Sequence, residues 1–391
     1  MATDIPPATG ATGTLPTEDD VRAALRRVND PEIHRPITDL GMVKSIAIGA
    51  GGEVTVGIYL TIQGCPMREN ITADVRNAVG AVPGVREVAV ELDVMSDEQR
   101  KELASTLRGG QAEREVPFAQ PGSLTRVYAV ASGKGGVGKS SVTVNLAAAM
   151  AADGLKVGVV DADIYGHSVP RMLGTEGKPT QVENMIMPPT AQGVKVISIG
   201  MFTPGNAPVV WRGPMLHRAL QQFLADVYWG DLDVLLLDLP PGTGDIAISV
   251  AQLVPGAEIL VVTTPQQAAA EVAERAGSIA VQTHQKIVGV VENMAGLPCP
   301  HCGELVDVFG TGGGERVAEG LTRTTGAKVP VLGSIPIDVR LREGGDDGRP
   351  VVLSDPTSPA GSALRSIAAS LGTRQRGLAG MSLGITPRGK F

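Results

Sequence analysis

The sequence predicts an α/β protein: a doubly wound, mostly parallel sheet preceded by a small α+β domain. Three observations carry this. From Arg126 onward, apolar strand-like runs alternate with helix-like runs, and several strands are continuous apolar stretches such as Val234-Leu235-Leu236-Leu237. Strands buried on both faces by crossover helices have that composition. Second, residues 133–140 read Gly-Lys-Gly-Gly-Val-Gly-Lys-Ser, between the strand-like Val127–Ala131 and the helix-like Val142–Met150. The string fits the phosphate-binding loop G-x-x-x-x-G-K-[ST] in the context that loop requires. Third, residues 18–95 have a different texture, with short alternating strands around single helices.

In chain order, residues 1–17 are small, polar and proline-bearing, and are expected to be disordered. Residues 18–95 form the small domain. Val21–Val28 is amphipathic, Gly52–Leu60 alternates through Val54, Val56, Ile58 and Leu60, Met67–Val79 reads as a helix, and Val85–Leu92 as a second strand. Residues 96–122, rich in charge, glycine and proline, predict a short helix followed by a linker. The P-loop NTPase domain spans 123–371, with strands near 126–132, 156–161, 194–199, 233–238, 258–263, 286–292 and 330–333. Residues 372–391, with Arg374, Arg376, Arg388 and Lys390, read as a flexible basic tail.

Composition narrows the function classes. Of 391 residues, 43% are apolar, enough for large cores, but only 3% are aromatic, so those cores are built from Val, Leu, Ile and Ala. A net charge of −7, without a basic, aromatic-studded surface, argues against nucleic acid as a partner. No apolar run is long enough for a membrane span. The N-terminus lacks the blocks of a signal peptide. Three cysteines do not make a disulfide framework, and a reducing cytoplasm is the expected compartment.

The loop's glycines, Gly133, Gly135, Gly136 and Gly138, with Val137 among them, let consecutive backbone N–H groups turn toward one anion. The following helix, opening through Lys139, Ser140 and Ser141, adds its N-terminal partial positive charge. Lys139 is placed to reach the terminal phosphates and Ser140 to ligate Mg²⁺. Asp238 ends the buried strand Val234–Leu237 and precedes Leu239-Pro240-Pro241-Gly242-Thr243-Gly244-Asp245. An acid there places negative charge behind the metal, and Gly242 can bring its N–H to the γ-phosphate. Asp161 and Asp163 end another apolar strand, Val157–Val160. At the base, Asn293 is expected to hydrogen-bond the ring and Pro336 to pack on it. The guanine-selecting Asn-Lys-x-Asp string does not occur, so ATP is favoured over GTP.

Cys299-Pro300-His301-Cys302 is a C-x-x-C pair following the Asn293 strand. Two thiols at that spacing bind one metal centre from one side. A symmetric homodimer would supply four, for zinc or an iron–sulfur cluster, while a redox dithiol is a third reading. Cys65, after a strand and before Pro66 and a helix, is either a small buried hydrophobe or a reactive thiolate.

Lys134 makes the loop resemble the deviant Walker A motif, K-G-G-x-G-K-[ST], of the MinD, nitrogenase iron protein and Get-type ATPases. In that class the extra lysine reaches the partner subunit's nucleotide, so the resemblance implies a nucleotide-sandwiching homodimer with Lys134 and Lys139 as catalytic lysines. It also implies that Asp163 positions the attacking water and that Asp161 is a switch residue near the metal. Residues 126–370 further resemble the Mrp/ApbC iron–sulfur cluster carriers. The motifs are GKGGVGKS at 133–140, VVDADIYG at 159–166, WRGPM at 211–215, LLLDLPPGTGD at 235–245, CPHCG at 299–303, FGTGGGE at 309–315 and GSIPID at 333–338. The resemblance implies an ATPase with a [4Fe–4S] cluster held between subunits by Cys299 and Cys302, and transfer of that cluster to apo-proteins with scaffold proteins as further partners. One departure is His167, where the family often has proline, and it is expected to alter loop stiffness. These 391 residues do not include the four-cysteine N-terminal extension of some eukaryotic relatives, so a second stable cluster is not expected.

The N-terminal unit resembles the SufT/PaaD-like iron–sulfur assembly domain through Asp30-Pro31-Glu32, Asp39-Leu40-Gly41-Met42-Val43, and Thr61–Pro66 with Cys65. The competing functions are a MinD/ParA-like positioning ATPase and a zinc-bridged scaffold ATPase. The first predicts an amphipathic C-terminal helix, which the glycines and Pro387 of the tail disfavour.

Overall fold

The computed structural model describes residues 15–372, except Glu32, His34, 62–66, 108–114, Pro121, Ile164, Tyr165, Asn184, 203–212, Thr243, Gly244, Gln267, Ala268 and Pro300. Cys65, Trp211 and the segments 1–14 and 373–391 therefore lie outside the described residues. Two compact units divide the chain: the described residues before 113 together with Gln181–Met187, and the remainder.

The first unit runs α1 (Glu18–Leu25), β1 (Val43–Ile48), β2 (Glu53–Leu60), α2 (Arg68–Gly80), β3 (Glu87–Val94) and α3 (Asp97–Leu107). Helix α1 starts three residues before the apolar stripe because Thr17 and Asp20 form a reciprocal capping box. Strand β1 pairs antiparallel with β2, and β3 pairs parallel with β2 after the crossover helix α2. Ile71, Val75 and Val79, at helical spacing on α2, are buried, as are Val54, Val56 and Ile58 of β2. Strand β1 was not expected from the sequence. None of its six residues is fully buried, so no apolar alternation marks it.

The second unit carries β4 (Arg126–Ala131), α4 (Lys139–Ala152), β5 (Val157–Asp161), α5 (Val169–Leu173) and, after the short strands β6 (Thr180–Val182) and β7 (Met185–Met187) whose residues from Gln181 to Met187 belong to the first unit, β8 (Thr190–Ala191), β9 (Val194–Ser198) and α6 (Gly213–Ala225). It continues through β10 (Val234–Asp238), α7 (Asp245–Leu253), β11 (Glu258–Thr263), α8 (Ala269–Thr283), β12 (Ile287–Asn293), β13 (Leu297–Pro298), β14 (Leu305–Val306), α9 (Gly313–Thr325), β15 (Val331–Ile335), α10 (Val339–Asp346), α11 (Val351–Ser354) and α12 (Pro359–Gly372).

Among the described residues the main sheet has the order β15-β12-β11-β4-β10-β5-β9-β8, parallel except for the β8–β9 edge. Val142, Leu146 and Met150 of α4 join Leu364, Ile367 and Leu371 of α12 in one core on this sheet. Ala276, Ala280, Val317 and Leu321 of α8 and α9 build a second core with Ile259, Val261 and Val290. The sheet is thus doubly wound, as expected. Strand β4 lies between β10 and β11, where successive crossovers depart in opposite directions, and ligands in open α/β sheets bind beyond the carboxyl ends of strands at such a point.

Candidate functional site

The phosphate-binding loop leaves the carboxyl end of β4 at this switch point. Gly136 and Gly138 both have φ of +79°, left-handed values that favour glycine. A Cβ on Gly138 would stand 2.3 Å from Asn293 Nδ2, so the position is closed to any side chain. Gly138→Ala is expected to abolish nucleotide binding in calorimetry while leaving most of the helical signal in circular dichroism, because strain and clash fall on the loop alone.

Below the loop, three side chains of α4 converge on Asp238. Ser140 Oγ donates to Oδ2 at 2.6 Å, Thr143 Oγ1 donates to Oδ1 at 2.8 Å, and Lys139 Nζ pairs with Oδ1 at 2.8 Å. Lys139 is 6% exposed and Asp238 fully buried. Parallel register sets Asp161 beside Asp238 at the ends of β5 and β10. Asp161 is also fully buried and accepts from Ser198 Oγ at 3.0 Å and from the Asp163 backbone N–H at 3.2 Å. Burial first, and the Asp238 carboxylate second, push the Asp161 pKa up to about 7. Two buried carboxylates side by side with a hydroxyl between loop and strand form an oxygen donor set of the kind Mg²⁺ uses. Asp163 caps its own turn, accepting from the Gly166 N–H at 3.2 Å.

Other expected site residues are engaged differently. Asn293 Nδ2 donates to the Val137 carbonyl at 2.8 Å, bracing the loop from beneath. The Gly242 N–H donates to the Ser132 carbonyl at 2.9 Å, with Gly242 at φ +94°. Lys134 Nζ donates to the Gln266 side chain of its own chain. Pro336 is half-buried just beyond β15. His167 has a φ of +42°, a value the proline ring cannot take, so the backbone here follows a path closed to proline.

Cys299 and Cys302 sit on the tip of a small hairpin formed by antiparallel β13 and β14, which emerges from β12. The tip closes through Cys299 N–H to the Glu304 carbonyl and Gly303 N–H to the Cys299 carbonyl, each 2.8 Å. Cys302 is exposed and Cys299 half-buried. Backbone N–H groups of Cys302 and His301, and then the Cys302 thiol, hold the Cys299 pKa below the ordinary thiol range, which favours the thiolate that binds metal. Among the described residues, no third histidine, cysteine or acid joins the pair. Leu305, Val306 and Val308 stand at least half exposed beside it.

Two family models match separate stretches of the chain. The family model described as the NUBPL iron-transfer P-loop NTPase matches residues 123–372. The chain belongs to this iron-transfer NTPase family. A second model, an iron–sulfur cluster assembly protein, matches residues 18–92. A relative from Mycobacterium tuberculosis strain H37Rv named iron–sulfur cluster carrier protein is 70% identical over 367 residues, covering 94% of this chain and 96% of that protein. A Bacillus subtilis relative of the same name is 41% identical, over 82% of this chain and 88% of its own length. A solved structure of a nucleotide-binding protein from Archaeoglobus fulgidus, in complex with ADP, aligns with 37% identity and a TM-score of 0.50, over 65% of this chain and 92% of its own. Among the described residues, no helix of this iron-transfer NTPase is long and apolar enough to cross a membrane.

Sequence reasoning passed over three polar groups in the NTPase site. Thr143 was legible as the residue three positions after Ser140, on the same helix face. Ser198 ends an expected strand as Asp161 does, and the register of β5 and β9 sets them opposite each other. Gln266 had no signal, since its partner Lys134 is 132 residues away.

Proposed function

We propose that this chain is an ATP-hydrolysing iron–sulfur carrier that holds a [4Fe–4S] cluster between two copies of itself and passes it to apo-proteins. The observation that carries this reading is the joint presence, on one strand system, of a phosphate loop backed by Asp238 and a Cys299–Cys302 hairpin with two thiols and, among the described residues, no third ligand. Two thiols from each of two symmetric copies complete a four-thiolate site. The exposed Leu305, Val306 and Val308 give the same hairpin an apolar border suited to a second copy.

Within the nucleotide site, Gly133–Ser141 wraps the phosphates with backbone N–H groups and the N-terminus of α4. Lys139 neutralises the terminal phosphates, moving between them and Asp238. Mg²⁺ bound near Ser140, Asp161 and Asp238 would withdraw charge from the phosphates. Asp163 orients water, and Lys134 leaves Gln266 to reach the facing copy's nucleotide. The N-terminal domain, with Cys65, serves the same cluster traffic, and scaffold proteins supply it in a reducing cytoplasm.

The test is transfer. Reconstituted wild type should convert an apo-acceptor to its cluster-bound form, followed by circular dichroism and acceptor activity, and Cys299→Ala/Cys302→Ala should not. Zinc in place of iron after anaerobic reconstitution would instead favour the scaffold reading.

A further inference from the structure

Strand β12 joins the two sites. Its last residue, Asn293, is 3% exposed and holds the Val137 carbonyl of the phosphate loop at 2.8 Å, across 156 residues of chain. Gly138 lies so close to the same amide that a single Cβ would overlap it. Loop and strand end therefore cannot shift independently, since close-packed interiors pass displacement on. The preceding residue, Glu292, is 5% exposed and fixed on its other side: one carboxylate oxygen accepts from the Gly314 N–H of α9 at 2.8 Å, the other from Ser334 Oγ of β15 at 3.1 Å. It anchors the strand while the next residue touches the loop.

Beyond Asn293 the chain turns sharply. Met294 has φ +60° and Gly296 φ +122°, and three residues after Gly296 comes Cys299. The turn is tied to the end of β15 by Ala295 N–H to the Ile335 carbonyl at 2.9 Å and by Ile337 N–H to the Gly296 carbonyl at 2.7 Å. A movement of Asn293 thus has a short, hydrogen-bonded route into the cysteine hairpin.

On the reading of the two sites given above, we infer that Asn293 is a positioning residue that couples the phosphate loop to the Cys299–Cys302 hairpin. A nucleotide that resets the loop peptide at Val137–Gly138 pulls or releases the Asn293 amide, and the turn at Met294–Gly296 converts that into altered presentation of the two thiols. The switching element is the glycine-rich loop itself, whose peptide can take more than one orientation.

The experiment measures iodoacetamide alkylation rates at Cys299 and Cys302 by peptide mass spectrometry on the full, metal-free chain. It compares rates with and without a saturating non-hydrolysable ATP analogue and Mg²⁺, with occupancy verified by calorimetry. In wild type the analogue should change the rates about fivefold or more, the lower end of usual coupling between sites. Asn293→Asp keeps the size but removes the donor, and should bind the analogue at high concentration while its thiol rates no longer respond. Met294→Gly leaves Asn293 in place but slackens the turn, and should show a reduced response. It decides the matter if Asn293→Asp fails to fold or to bind. Unchanged thiol rates in analogue-bound wild type would overturn the coupling, as would a full response in either variant. A wild type that binds no nucleotide at all would sink the nucleotide-site reading first, and is seen separately in the calorimetry.

Discussion

Replacing Lys139 with alanine is expected to reduce ATP turnover by at least roughly 10²- to 10³-fold, the scale on which a buried charge donor to the transition state acts. The residue is also structural. Its ammonium is the cation that the structure sets 2.8 Å from Asp238, with Asp161 alongside and both carboxylates buried. Removing one partner of a buried pair costs about 3–5 kcal/mol when the other stays charged. The variant therefore should melt lower than wild type unless a carboxylate takes up a proton. Adding Asp238→Asn to Lys139→Ala removes the orphaned charge and should restore part of the melting temperature without restoring turnover. Mg²⁺-dependent ATPase assays and thermal unfolding, run as a double-mutant cycle, separate the two roles. Undiminished hydrolysis in Lys139→Ala would mean that the loop has been misread.

Cys299→Ser should abolish stable cluster binding outright. In a symmetric pair of chains one substitution removes two of four ligands, and a four-thiolate centre seldom survives that. Reconstituted wild type should hold about two irons per chain if the centre is four-iron. The substitution should leave nucleotide affinity within a few-fold, because the hairpin closes on its own backbone and the turn before it is bonded to the end of β15. Cys65→Ala should keep the cluster. Iron analysis and the visible absorption of the reconstituted protein decide, and full iron retention by Cys299→Ser would overturn the carrier reading.

The large domain was legible because its signals are local. Continuous apolar strands such as Val234–Leu237 and glycine-rich turns at 133–138 declare burial and anion binding without knowledge of their neighbours. The acids at the ends of β5 and β10 were legible for the same reason. What stayed hidden depends on partners far along the chain. Asn293 was expected at the base, and the hold of its amide on the Val137 carbonyl had no signal, because that contact is fixed only by how β12 lies beneath the loop. Strand β1 was missed because its exposed residues break the alternation, and the early start of α1 because Thr17 and Asp20 cap it without any apolar residue. At His167 the departure in sequence suggested a change of stiffness, and only the dihedral angle shows a backbone path closed to proline.

The place of β4 in the sheet also governs how the protein emerges from the ribosome. Both neighbours of β4 are made more than a hundred residues after it. Its Tyr128 hydroxyl waits still longer, for the Leu371 carbonyl 243 residues on. The small N-terminal unit can close early, apart from Gln181–Met187, while the strand that bears the phosphate loop stays apolar and unpaired. At roughly 5–20 residues per second, that interval lasts many seconds. A nascent chain with an open β-edge over such a time is a natural client for chaperones, and one that ends before α12 leaves the Tyr128 hydroxyl without the Leu371 carbonyl.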